Sequence, residues 1–106
     1  MSERLLVEEA ERRAKIFRNL WSYLKLIAKI VKELDRDAEV YLFGSVAEGK
    51  YLLSSDIDVL VVTVRKPEEV ISRLWEVGIG DPFEIHVITK EYLEIYKRRS
   101  KLVQVT

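Results

Sequence analysis

At 106 residues and 12.4 kDa the chain has room for one domain around one core. Its 18 Lys and Arg balance 18 Asp and Glu, so the net charge is zero and no direct, non-specific attraction to nucleic acid is expected. A composition 48% hydrophobic and 34% charged excludes a disordered or fibrous chain, and the absence of Cys excludes disulfides, thiolate zinc sites and cysteine nucleophiles.

No apolar run approaches the ~18 residues needed to cross a bilayer. The start of the chain, MSERLLVEEAERR, is charged within three residues and does not read as a secretory signal, so a cytoplasmic location is expected. Asn19 and Gln104 are the only amide side chains beside many ion-pair formers, a thermophile tendency.

From Ser2 to Asp35 there is no Gly or Pro, and apolar residues recur in steps of three and four from Ala10 through Phe17, Leu24 and Val31. The spacing predicts a long amphipathic helix over about 3–35, with Asn19 as a place for a break. A projecting N-terminal half would leave an apolar stripe in need of cover, a second copy of the chain being one way to supply it. Trp21 and Trp75 fall at helical core spacing. The short, aromatic and β-branched segment Glu39 to Phe43 reads as a strand that stops at Gly44. Residues 45–55 read as loop with a helical turn.

Asp56 to Val64 is the clearest strand. Asp56, Asp58, Leu60, Val62 and Val64 share one face, and Ile57, Val59, Val61 and Thr63 share the other. Apolar residues on both faces predict a central strand covered from both sides. Pro67 to Glu76 opens with Pro and two acids, as a helix does, and Gly78 and Gly80 end it. Phe83 to Ile88 alternates as a third strand. Thr89 is placed to cap a last helix, Lys90 to about Arg99, on which Tyr92 and Tyr96 pack at i, i+4. The basic run from Lys97 to Lys101 complements that helix's dipole. The expected fold is α/β (α+β): one domain over 1–106, with a mixed sheet of three or four strands flanked by helices.

Chemistry concentrates around two features. Asp56 and Asp58, at i and i+2, lie about 6–7 Å apart at Cβ if both are on the strand. Like charges so placed call for a cation, and oxygen ligands suit Mg²⁺ or Mn²⁺ rather than zinc. Directly after the preceding strand, Gly44 permits a tight turn that brings backbone N–H groups to an anion, and Ser45 adds a hydroxyl. Together they form a phosphate cradle facing a metal-binding pair, which is what transfer from a nucleoside triphosphate requires.

These residues carry a resemblance. Phe43-Gly44-Ser45 followed by Ser55-Asp56-Ile57-Asp58-Val59 is similar to the signature of the DNA polymerase β-like nucleotidyltransferase superfamily, and the short chain is most similar to its minimal members. The resemblance runs from about Val40 to Ile88, within a catalytic core of about 39–89. It implies Asp56, Asp58 and Glu84 as catalytic and metal-binding acids, holding two Mg²⁺ ions, with Gly44, Ser45 and Lys50 on the nucleotide. Relatives commonly carry an Arg after Gly-Ser; here the segment is Val46-Ala47-Glu48-Gly49-Lys50, with Lys50 in place to supply the positive charge and Glu48 opposing it. His86 shares a face with Glu84 and reads first as a packed core or interface histidine, with contact to nucleotide or orientation of a carboxylate as the other reading.

With 106 residues the acceptor site is expected on another chain. The resemblance implies a helical HEPN-type toxin as that partner, with this chain as the antitoxin that moves AMP from ATP to a partner hydroxyl. A catalytically weak nucleotide binder that neutralises its partner by binding alone is the alternative.

Overall fold

The structure is a computed structural model and describes residues 2–106. Its elements in order are α1 (Glu3–Arg18), α2 (Leu20–Leu34), β1 (Glu39–Phe43), α3 (Gly44–Ala47), β2 (Ile57–Val62), α4 (Pro67–Glu76), β3 (Phe83–Ile88), a 3₁₀ turn (Lys90–Tyr92), α5 (Leu93–Arg99) and β4 (Val103–Gln104). The four strands form one mixed sheet in the order β3-β2-β1-β4, with β2 parallel to β3 and antiparallel to β1, and β1 antiparallel to β4.

The long helical pattern is two helices, and Asn19 divides them. Its φ of −114° and ψ of 25° leave the helical region, while its side-chain amide donates to Lys15 O at 2.8 Å. A short amide that bonds the preceding turn competes with the backbone ladder and stops the helix there. Helix α2 buries Leu24, Ile27, Ala28, Ile30 and Val31 against the sheet, whereas α1 buries only Ile16. The N-terminal turns of α1 expose Leu5, Leu6 and Val7.

Both faces of β2 are covered, as the alternation predicts. Ile57, Val59 and Val61 join Val40 and Leu42 in the large core under α2 and α4. Leu60 and Val62 join Tyr41, Leu93 and the ring of Tyr96 on the opposite face, under α5. Burial of this kind is worth about 1.5–3 kcal/mol for each large side chain, so β2 is the fixed rail from which the rest is positioned.

Four expectations change. Strand β2 spans Ile57–Val62 rather than 56–64: Asp56 precedes it, and Val64 is exposed beyond the point where the Thr63 hydroxyl turns to Asp35 at 2.6 Å. Trp21 and Trp75 are exposed rather than core, because their helices turn the adjacent Leu20 and Leu74 toward the core instead. Thr89 makes no side-chain cap, since a 3₁₀ turn precedes α5 and only its carbonyl is used, by Tyr92 N. Tyr92 itself is exposed, while Tyr96 packs. The fourth of the three or four expected strands is β4, at a place in the chain that no local pattern marks; it borrows order from β1, pairing Tyr41 with Gln104 and Leu42 with Val103.

Candidate active site

The site lies on the α5-facing side of the sheet, where β1 ends and β2 and β3 begin. Parallel register sets Glu84 of β3 beside Asp58 of β2, and His86 beside Leu60 one pleat further on. Because side chains alternate, Asp58, Glu84 and His86 project from one face. His86 Nε2 lies 3.2 Å from Asp58 Oδ1 and 3.6 Å from Glu84 Oε1. One ligand atom from each of the three lies within 4.8 Å of the others. Asp58 and His86 are partly covered and Glu84 faces outward, with side-chain exposures of 24%, 31% and 54%.

Phe43 fixes the histidine. Its ring meets the imidazole edge-on, with centroids 5.0 Å apart and planes at 72°, and meets Tyr96 in the same manner at 5.7 Å and 88°. Such pairs add about 0.5–1.5 kcal/mol beyond area burial. The apolar residue before Gly-Ser therefore orients a polar group of the site.

Gly44 follows with φ of +75°. A Cβ at this position would collide with the Asp58 carboxylate, standing 3.1 Å from Cγ and 3.2 Å from Cβ of that residue. Glycine is needed twice over, for the left-handed backbone and for the space that lets a carboxylate lie against the turn. Ser45 is half-buried in the same turn, whose amides at Glu48, Gly49 and Lys50 bond back to Gly44, Val46 and Ser45. Glu48 and Lys50 are both exposed.

Asp56 sits on the loop before β2, exposed and outside the Asp58–Glu84–His86 group. That loop is held by α1: Arg13 donates to the carbonyls of Ser55 at 3.2 Å and Leu53 at 3.4 Å, and Phe17 stacks on Tyr51 at 4.9 Å. Arg13 and Arg12 also pair with Asp81, ahead of β3. Helix α1 thus ties together the two segments that lead into the acidic strands.

The structure brings together Asp58, Glu84, Gly44 and Ser45, and leaves Asp56 and Lys50 at the surface around them. His86, read first as a packing histidine, is instead the third member of the polar cluster. Its sequence signal is its i+2 parity with Glu84, which puts it on the acidic face. Two carboxylates and one imidazole at this spacing fit a divalent cation.

The chain matches the family model described as "Nucleotidyltransferase domain" over residues 24–105. It therefore belongs to the nucleotidyltransferase domain family. It is also similar to a crystal structure described as a "putative nucleotidyltransferase" from Sulfolobus solfataricus, at 30% sequence identity and a TM-score of 0.53, covering 92% of this chain and 83% of that one. The resemblance carried by Phe43-Gly44-Ser45 and Asp56-Ile57-Asp58 is supported by a family match over residues 24–105, and a minimal nucleotidyltransferase is consistent with both matches.

Proposed function

We propose that this chain is a single minimal nucleotidyltransferase unit that transfers a nucleoside monophosphate, AMP from ATP, to a hydroxyl on a partner protein. The observation that carries the reading is the seating of the Asp58 carboxylate against the Gly44 turn with Glu84 beside it in register. A triphosphate at the Gly44-Ser45 turn would place its α-phosphorus near two carboxylates. Divalent cations, Mg²⁺ or Mn²⁺ held by Asp58 and Glu84 with Asp56 on the adjoining loop, supply charge neutralisation and activate the acceptor hydroxyl when bound.

The residues' own tasks follow. Ser45 and the turn hold the phosphate tail, with Lys50 available from the same segment. Asp58 or Glu84 accepts the proton of the acceptor hydroxyl as its oxygen bonds to the α-phosphorus. The bond from that phosphorus to the bridging oxygen breaks, and pyrophosphate leaves with the electron pair. Positioning and charge stabilisation carry most of the rate in such transfers.

The acceptor surface is not part of the acidic cluster. The exposed Leu5, Leu6 and Val7 of α1, with Leu52 and Leu53 of the loop it holds, form apolar surface that suits another chain. A helical HEPN-type toxin, with this chain as antitoxin, is the partner we propose; a second copy on α1 is the other use of that surface. No helix among the described residues is long and apolar enough to cross a membrane, which fits a cytoplasmic site of action. The Glu9–Arg12–Arg13–Asp81 ion-pair group and the scarcity of amides fit a thermophilic source.

The test is incubation with α-labelled ATP, Mg²⁺ and the protein that co-purifies from native extract. Label on a partner hydroxyl supports the transferase. A stable complex without label would replace it with the antitoxin that acts by binding alone.

A further inference from the structure

We propose that His86 is a ligand to the divalent cation of this site, and that its imidazole shifts the site's preference from Mg²⁺ toward a first-row transition ion such as Mn²⁺. The presence of a cation rests on the transferase reading; the identity of the ligands rests on geometry. Neighbouring donors around an octahedral ion with bonds of about 2.1–2.2 Å are about 3.0–3.1 Å apart, and around a tetrahedral one about 3.4 Å. His86 Nε2 stands 3.2 Å from Asp58 Oδ1 and 3.6 Å from Glu84 Oε1, close to both spacings. The Phe43 ring fixes the imidazole edge-on, so the nitrogen is held toward the carboxylates rather than free to turn away.

The donor set decides the ion. Asp56 is exposed on the loop outside the group, so the donor that the fold already sets beside the Asp58 and Glu84 carboxylates is a nitrogen. Mg²⁺ prefers a full octahedron of hard oxygen ligands and gives up water reluctantly. Imidazole binds first-row transition ions better, and geometry with ligand type sets selectivity among divalent ions. A site that adds a histidine nitrogen to its carboxylates disfavours Mg²⁺ more than one built of carboxylates alone.

The test uses the full-length, metal-stripped chain with MnCl₂ and MgCl₂. Calorimetry gives both affinities, and pulsed electron paramagnetic resonance of the Mn²⁺ form reports directly bound nitrogen. The wild-type chain should show nitrogen coupling that His86→Asp and His86→Asn abolish. The ratio of Mn²⁺ to Mg²⁺ affinity should fall at least tenfold in His86→Asp. Mn²⁺ bound without nitrogen coupling, an unchanged ratio, or no Mn²⁺ binding would each overturn the proposal. Circular dichroism checks the variants, and if they do not fold the nitrogen coupling of the wild-type chain decides alone. Nucleotide transfer supported by Mg²⁺ despite such a failure leaves the transferase reading standing; nitrogen-ligated Mn²⁺ without transfer sinks that reading and keeps this one.

Discussion

Asp58 is the residue on which the site turns, because it joins the glycine turn to the histidine and to Glu84. Its carboxylate meets the Gly44 turn on one side and the His86 ring on the other, with Glu84 next in register. Asp58→Asn keeps the shape and removes the charge. Transfer measured with α-labelled ATP should fall at least about 100-fold, or about 2.7 kcal/mol of transition-state stabilisation, with the melting temperature nearly unchanged. Gly44→Ala tests the turn from the other side: its methyl enters the space of the Asp58 carboxylate at a backbone angle that alanine resists. Denaturant unfolding should show a loss of about 1–2 kcal/mol, accompanied by a loss of transfer. Much of this was legible in the sequence. Gly44, Ser45 and Asp58 stand out by spacing and strand position, whereas Glu84 is named by the family resemblance, with which its strand parity agrees. His86 was visible as a neighbour of Glu84 but not as a partner of Asp58, because only the parallel register of β2 and β3 brings them together.

At the scale of elements, α1 does more than cover a core. It buries one residue fully, yet Arg13 bonds the carbonyls of Leu53 and Ser55 just before Asp56 and pairs with Asp81 just before β3. The half-buried guanidinium holds two loops at once. Arg13→Ala should therefore lower kcat/KM for transfer by more than its effect on stability predicts, the latter being about 1–3 kcal/mol by thermal or denaturant unfolding. Equal transfer by Arg13→Ala and wild type would show that the loop positions itself. Strands β1 and β3 and helix α4 could be read from alternation, Pro and Gly. The division of α1 from α2 followed from Asn19 only as a place for a break, since propensity does not say whether a helix bends or ends. Strand β4 is two residues long and exists through its pairing with β1, a long-range contact that no local pattern reveals.

Across the whole molecule, the C-terminal end of α2 is locked to the end of β2 by Asp35 and Thr63. The Thr63 hydroxyl donates to Asp35 Oδ2 at 2.6 Å and holds that carboxyl below the usual carboxylate range; backbone N–H groups of Asp37 and Val64 and the charge of Arg65 act in the same direction, against burial. A lowered pKa favours the ionised folded form. The resulting stability is therefore present above about pH 4, and it is lost as pH falls through the lowered value. Thr63→Val should cost about 1.5–3 kcal/mol near neutral pH, and its melting temperature should drop less than that of the wild type on acidification to pH 3. At the alkaline end, burial and the Glu39 carboxylate push the Tyr41 phenol up to about 12. Stability from the neutral phenol holds below its ordinary pKa and is lost as pH rises toward that value.

The two acids on parallel strands and the glycine turn against them form a metal–triphosphate site only if they bind as a unit. Calorimetric titration of the full chain with ATP, with and without MgCl₂ or MnCl₂, tests this most directly. Saturable binding should require the divalent ion and weaken at least tenfold in Asp58→Asn and in Glu84→Gln. Binding that is indifferent to divalent ions and to both substitutions, or no binding under any of these conditions, would contradict it.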